Sequence, residues 1–190
     1  MSFRHKNIRL RHEDYVGTRW FFITMCCANR RKLFVTGKFC NWFLRIVAQN
    51  AWTHAFDVHA YCLMPDHVHL LCEGLNATSD LLTFIKAVKL KSSTPFERRT
   101  GRPLWQKKFY DHVLRQNDSP DDVAWYIWMN PVRAGICSRP GEYPFLGSLA
   151  HPWTQTVKPF TEWVPSWKKN DSAAESPAPL HVPMRRSCTK

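Results

Sequence analysis

His67 and His69 stand two residues apart in the stretch YCLMPDHVHLLCEG, residues 61–74. On an extended strand, residues two apart share a face. Two imidazoles then lie side by side, a ready pair of ligands for a divalent metal. The same spacing also suits two partly buried, hydrogen-bonded histidines, and the residues alone leave both readings open. Cys62 and Cys72 flank the pair and raise zinc, which in structural sites needs four converging ligands. Cys72 lies three residues past His69 and so faces the other way, and Cys62 has to reach across the turn at Pro65-Asp66. The parity argues against zinc.

A second pair sits in YIWMNPVRAG, residues 126–135. Tyr126 and Asn130 are four apart and share one face of a helix. Val123 and Ile127 lie on that face and would seat it against a sheet. Read alone, the pair is also what a core tyrosine and a helix-ending asparagine before proline look like. Basic residues recur along the chain: Arg30, Arg31 and Lys32, then Lys86, Lys89 and Lys91, then Arg98, Arg99 and Arg102, then Lys107, Lys108 and Arg115. Each cluster can be a solvated face. Together they suggest an electropositive surface, with Trp105 as a residue on which a base stacks. No phosphate-cradling Gly-rich loop or Ser nucleophile elbow is present.

The elements that must position these residues follow from pattern. Arg19–Cys27 is an apolar run of strand formers. Phe39–Thr53 has apolar residues at helical spacing. Phe56–Met64 reads as a strand with Phe56, Val58, Ala60, Cys62 and Met64 on one face, joined by a tight turn to a strand over His67–Glu73. A helix is predicted from Ser79 to about Phe96, a fourth strand over Trp105–Arg115, and a helix over Pro120–Met129. That last helix has a start signal in Ser119 and Asp122, a proline at its first position, and a stop at Pro131. The order matches an α+β, ferredoxin-like split βαβ sheet with an added C-terminal helix bearing the tyrosine.

Composition fits such a unit. The chain has 190 residues, 44% of them hydrophobic and 14% aromatic, with 27 Lys+Arg against 15 Asp+Glu and a formal charge of +12. Positive charge with aromatics suits single-stranded nucleic acid, where cations follow phosphates and rings stack on bases. No apolar run approaches the ~20 residues that span a bilayer, and the N-terminus lacks the apolar stretch of a signal peptide. Seven Cys without a CxxC pair suggest reduced thiols and a cytoplasmic location. Residues 1–150 read as one domain. Residues 151–190 are Pro-rich and lack periodicity, so the distal part is expected to be disordered, while Trp153, Phe160, Trp163 and Trp167 can dock the proximal part.

Taken together, three blocks resemble the REP-associated tyrosine transposases, a branch of the single-tyrosine HUH transposase superfamily. They are YCLMPDHVHLLCEG at 61–74, LWQKKFYDHVLR at 104–115 and YIWMNPVRAG at 126–135, and GTRWFFITMCCANRRKLF at 17–34 resembles the family's first strand and basic loop. The likeness covers roughly residues 11–150. It implies a ferredoxin-like catalytic domain that cuts and rejoins single-stranded or hairpin DNA. It makes His67, His69 and Asn130 the ligands of Mg²⁺ or Mn²⁺, and Tyr126 the nucleophile that forms a 5′-phosphotyrosine. Trp125 and Trp128 make this tyrosine helix bulkier than the family pattern. Related enzymes place that helix in cis or swap it between subunits, and a monomer is favoured here over a dimer. Two other classes remain: a palindrome-binding module that no longer cleaves, and a metal-dependent hydrolase that uses water.

Overall fold

The computed structural model describes residues 10–151 together with Pro165 and Trp167. Five strands form one antiparallel sheet in the order β4-β1-β3-β2-β5. The strands are β1 (Trp20–Cys26), β2 (Phe56–Met64), β3 (His67–Gly74), β4 (Tyr110–Val113) and β5 (Leu146–Gly147). Helices α1 (Gly37–Thr53) and α2 (Leu81–Thr100) pack on one face of it. Helix α3 (Pro120–Trp128) packs on the other, and the short α4 (Asn130–Arg133) follows it. This is the expected ferredoxin-like arrangement. β5, only two residues long, carried no pattern to read.

Alternation in β1 and β3 builds both layers at once. Phe21, Ile23, Met25, Val68, Leu70 and Cys72 are buried against α1 and α2. Phe22 and Leu71 face α3 instead. β1 and β3 pair in register, Thr24 opposite His69 and Phe22 opposite Leu71, so both histidines share the α3 face. In β2, however, the single face expected for Phe56, Val58, Ala60, Cys62 and Met64 is broken. The pairing with β3 shifts between Val58 and Ala60, leaving His59 as an extra residue. A bulge of this kind reverses the parity of everything beyond it. Phe56 and Val58 therefore pack towards α1 and α2, whereas Ala60, Cys62 and Met64 pack under α3.

Helix ends follow the local chemistry. In α1, the Thr36 side chain accepts from Phe39 N. In α2, Asp80 caps the first turn by accepting from Leu82 N and Thr83 N at 2.9 and 3.2 Å. α2 also runs past the expected end near Phe96. Pro95 lies inside the helix, and the stop comes only at Gly101, whose φ of +65° suits a residue without a Cβ. In α3, Ser119 Oγ accepts from Asp122 N at 3.3 Å, as its sequence position predicts.

The stretch expected to be strand over Trp105–Arg115 is strand only over Tyr110–Val113. Trp105 makes one isolated bridge to Cys27. It is 6% exposed, its ring lies among Phe34 and Phe43, and its Nε1 donates to Ser92 Oγ at 2.8 Å. Trp105 is thus a core residue rather than a stacking platform for DNA. We expect Trp105→Ala to lower stability by about 3–5 kcal/mol, read from urea unfolding. Hairpin affinity per folded molecule should be unchanged, and a selective loss of affinity at full stability would restore the stacking role.

Of the tail aromatics expected to dock, Trp167 does so. It stacks on His112 with ring centroids 3.7 Å apart and approaches Phe22 at 6.4 Å. Trp153, Phe160, Trp163 and the distal tail lie outside the described residues.

Candidate active site

The α3 face of β3 brings His67 and His69 together, with their Nε2 atoms 3.0 Å apart. Each ring is held from behind. His67 Nδ1 meets Asp66 Oδ1 at 2.6 Å, and His69 Nδ1 meets Thr24 Oγ1 at 2.9 Å. With the protons on the Nδ1 atoms donated to those oxygens, both Nε2 lone pairs face one space. A backing partner on the far nitrogen is the usual way a protein fixes a ligating imidazole. The sequence reading missed both partners. Asp66 appeared there only as turn chemistry, and Thr24 is brought to His69 by strand pairing, which leaves no local signal.

Asp66 is itself anchored, because Arg30 Nε lies 3.0 Å from its Oδ2. Burial pushes the Asp66 pKa up, but the hydrogen bond from His67, with the charge of Arg30, outweighs it and holds the carboxyl below its usual range. Arg30, expected to contact DNA, is therefore tied into the support of His67.

Tyr126 is seated on the same face. Val123, Ala124, Tyr126 and Ile127 pack on Phe22, Ala60, Cys62, Met64 and Leu71. The Phe22 ring is the shared floor, stacked with His69 at 5.6 Å and edge-on to Tyr126 at 6.1 Å. Tyr126 is 9% exposed.

Asn130 lies at the break between α3 and α4. Pro131 has no N–H to give to the carbonyl of Ile127, four residues back. The Asn130 side chain supplies it: Nδ2 donates to Ile127 O at 3.0 Å and to Tyr126 O at 3.1 Å. With the nitrogen turned to the helix, Oδ1 takes no part in these bonds. Trp128 adds to the anchoring by donating from Nε1 to Gly147 O at 2.9 Å.

The basic residues divide. Lys89 Nζ donates to the carbonyls of Gln106 and Lys107 at 2.7 and 2.9 Å, pinning that loop to α2. Arg31 donates to the carbonyls of Ala28 and Pro103. Both, expected to contact DNA, are ties within the fold. Lys86 is exposed on α2, across the sheet from the histidines. Lys107, Lys108 and Arg115 are exposed beside β4. Lys108 and Arg115, with Arg19, line an open groove of about 900 Å³ along this sheet edge. Arg19 was not singled out by its sequence context.

Comparison with known proteins decides the family. The sequence profile of IS200-like transposases matches residues 18–130, more than half of the chain.

The chain belongs to the IS200-like transposase family.

The matched span includes both histidines, the tyrosine and the asparagine of this transposase. A Haemophilus influenzae protein named for the REP-associated tyrosine transposases is 26% identical over 143 residues, covering 70% of this chain and 81% of that protein. The REP-associated tyrosine transposase of Escherichia coli K12 is 24% identical over 130 residues, covering 68% and 75%. A solved structure, that of a REP-associated tyrosine transposase bound to a REP hairpin, shares the fold. Its TM-score is 0.60 at 21% identity, over 87% of this chain and 100% of that one. The transposase is thus similar to the group that its three sequence blocks resemble. Among the described residues, no helix is long and apolar enough to cross a membrane.

Proposed function

We propose that this transposase cuts and rejoins single-stranded DNA at hairpin-forming palindromes, using Mg²⁺ or Mn²⁺ and a 5′-phosphotyrosine intermediate. The observation that carries the reading is the convergence of the His67 and His69 Nε2 atoms on the face that seats Tyr126. Their separation of 3.0 Å suits a small hard cation. Two neighbouring ligands on an octahedron with bonds of about 2.1 Å stand about 3 Å apart. His67, His69 and Asn130 are the residues that would hold the ion. Bound there, the metal would polarise the scissile phosphate and offset the charge that develops on it.

The chain's own residues do the rest. The Tyr126 oxygen attacks phosphorus, the bond from phosphorus to the 3′ oxygen breaks, and that oxygen takes a proton to leave a 3′-OH. A second 3′-OH reverses the step and reseals the strand, so no external energy source is needed. Asp66 and Thr24 hold the imidazoles in the ligating tautomer. Lys107, Lys108, Arg115 and Arg19 supply cations beside the sheet edge for the phosphates. A hairpin is the partner that the named relatives and the +9 charge of residues 1–150 favour. The reading places the protein with DNA in the cytoplasm, as a monomer.

Incubation with labelled hairpin DNA and Mn²⁺, followed by a denaturing gel, tests it. A covalent protein–DNA band supports the reading. Binding without cleavage would identify a palindrome-binding module, and cleavage without an adduct would identify a hydrolase that uses water.

The supports of the histidines yield a separate expectation. Thr24→Val keeps the side-chain shape and removes the oxygen behind His69, and Asp66→Ala removes the one behind His67. Each should weaken Mn²⁺ binding by roughly 10- to 100-fold, measured as the half-saturating Mn²⁺ for cleavage. An unchanged Mn²⁺ requirement in both variants would remove them from the metal site.

A further inference from the structure

Arg133 lies seven residues beyond Tyr126 and returns to lie over it. The break at Met129 and the single turn of α4 bring its guanidinium back, with Cζ 3.9 Å from the centroid of the Tyr126 ring. Nη2 donates to the Tyr126 carbonyl at 2.6 Å. The residue is exposed to solvent, and no carboxylate among the described residues forms an ion pair with it. The acidic groups facing it are the phenol of Tyr126 and, from β2 below, the thiol of Cys62. Burial keeps that thiol neutral by pushing its pKa far up. A guanidinium so placed is drawn to the ring face and stays charged at any working pH.

We propose that Arg133 is a positioning residue for the reacting phenol. It fixes the Tyr126 ring by lying over its face, and its charge stabilises the anion that develops on the ring oxygen. This rests on the reading of Tyr126 as the nucleophile. In the cutting step the phenolic O–H bond breaks and the O–P bond forms, while the bond from phosphorus to the 3′ oxygen breaks. The proton ends on the released 3′-OH. In resealing, the same phenolate is the leaving group, so Arg133 favours both directions.

The experiment compares Arg133→Gln and Arg133→Lys with the unaltered protein and with Tyr126→Phe. It uses labelled hairpin DNA and saturating Mn²⁺ under single-turnover conditions. Gln can still donate to a carbonyl but carries no charge. The cutting rate should fall by roughly 10- to 100-fold in Arg133→Gln, as expected for loss of an opposite charge beside an ionising group. Resealing should slow with it. Lys should recover most of the rate. Hairpin Kd, the Mn²⁺ requirement and Tm should stay at the unaltered values in both. A normal rate in Arg133→Gln, beside a Phe variant that forms no adduct, overturns this proposal alone. So does a loss in Gln and Lys alike that follows a fall in Tm or hairpin affinity, because Arg133 is then only a brace. An adduct in Tyr126→Phe overturns the nucleophile reading beneath it.

Discussion

Tyr126→Phe should form no covalent adduct with hairpin DNA, while binding the hairpin within about twofold of the unaltered protein. The change removes one oxygen and keeps the ring that packs on Phe22 at 6.1 Å and under the Arg133 guanidinium at 3.9 Å. Loss of a hydroxyl at a packed site costs about 1 kcal/mol of stability, too little to unfold the domain. On the proposed mechanism the rate, by contrast, depends wholly on that oxygen, because no ring carbon can displace the 3′ oxygen from phosphorus. A denaturing gel and a filter-binding titration on the same preparation separate the two effects. A covalent band that persists in the Phe variant would remove Tyr126 from the role.

His67→Ala and His69→Ala should each bring cleavage near zero and leave what remains unresponsive to Mn²⁺. Either change leaves one imidazole where two converge at 3.0 Å, and it also strands the oxygen that backed the lost ring. Asn130→Ala should be milder towards the metal, since water can replace one neutral oxygen ligand. It should still loosen the tyrosine helix, because the carbonyls of Tyr126 and Ile127 lose their shared donor. Titrating Mn²⁺ against cleavage rate orders the three variants. An Asn130→Ala defect as severe as the histidine changes, with unaltered metal affinity, would show that the ligand assignment is wrong.

What the sequence made legible was what depends on local spacing. The two-residue spacing of the histidines, the capped start of α3 and the sharing of one helix face by Val123, Tyr126 and Ile127 all hold in three dimensions. What stayed hidden depends on partners remote in the chain. Trp105 looked like a stacking residue because its position in a basic stretch says nothing of Phe34 and Phe43, which enclose it. The ties of Lys89 and Arg31 left no local signal, because the carbonyls they bond in Gln106, Lys107 and Pro103 come from a loop further along the sequence. Arg30 and Asp66 are separated by 36 positions and read as a basic loop and a turn, although together they brace one imidazole. The helix expected to end near Phe96 runs on to Thr100 with Pro95 inside it, although proline in a helix interior loses a hydrogen bond. The true stop at Gly101 was the stronger signal.

The extra residue at His59 has a consequence for how this protein can change over time. It makes β2 a strand of two phases, with Phe56 and Val58 serving the two long helices and Ala60, Cys62 and Met64 forming the seat of the tyrosine helix. No residue in the strand serves both layers. The small side chains of Ala60 and Cys62 lie in the layer that packs against α3. The two layers can therefore change separately. Substitutions in the seat act on the tyrosine helix, while the stack of Phe56 on Phe84, at 4.9 Å on the opposite side, continues to hold the scaffold.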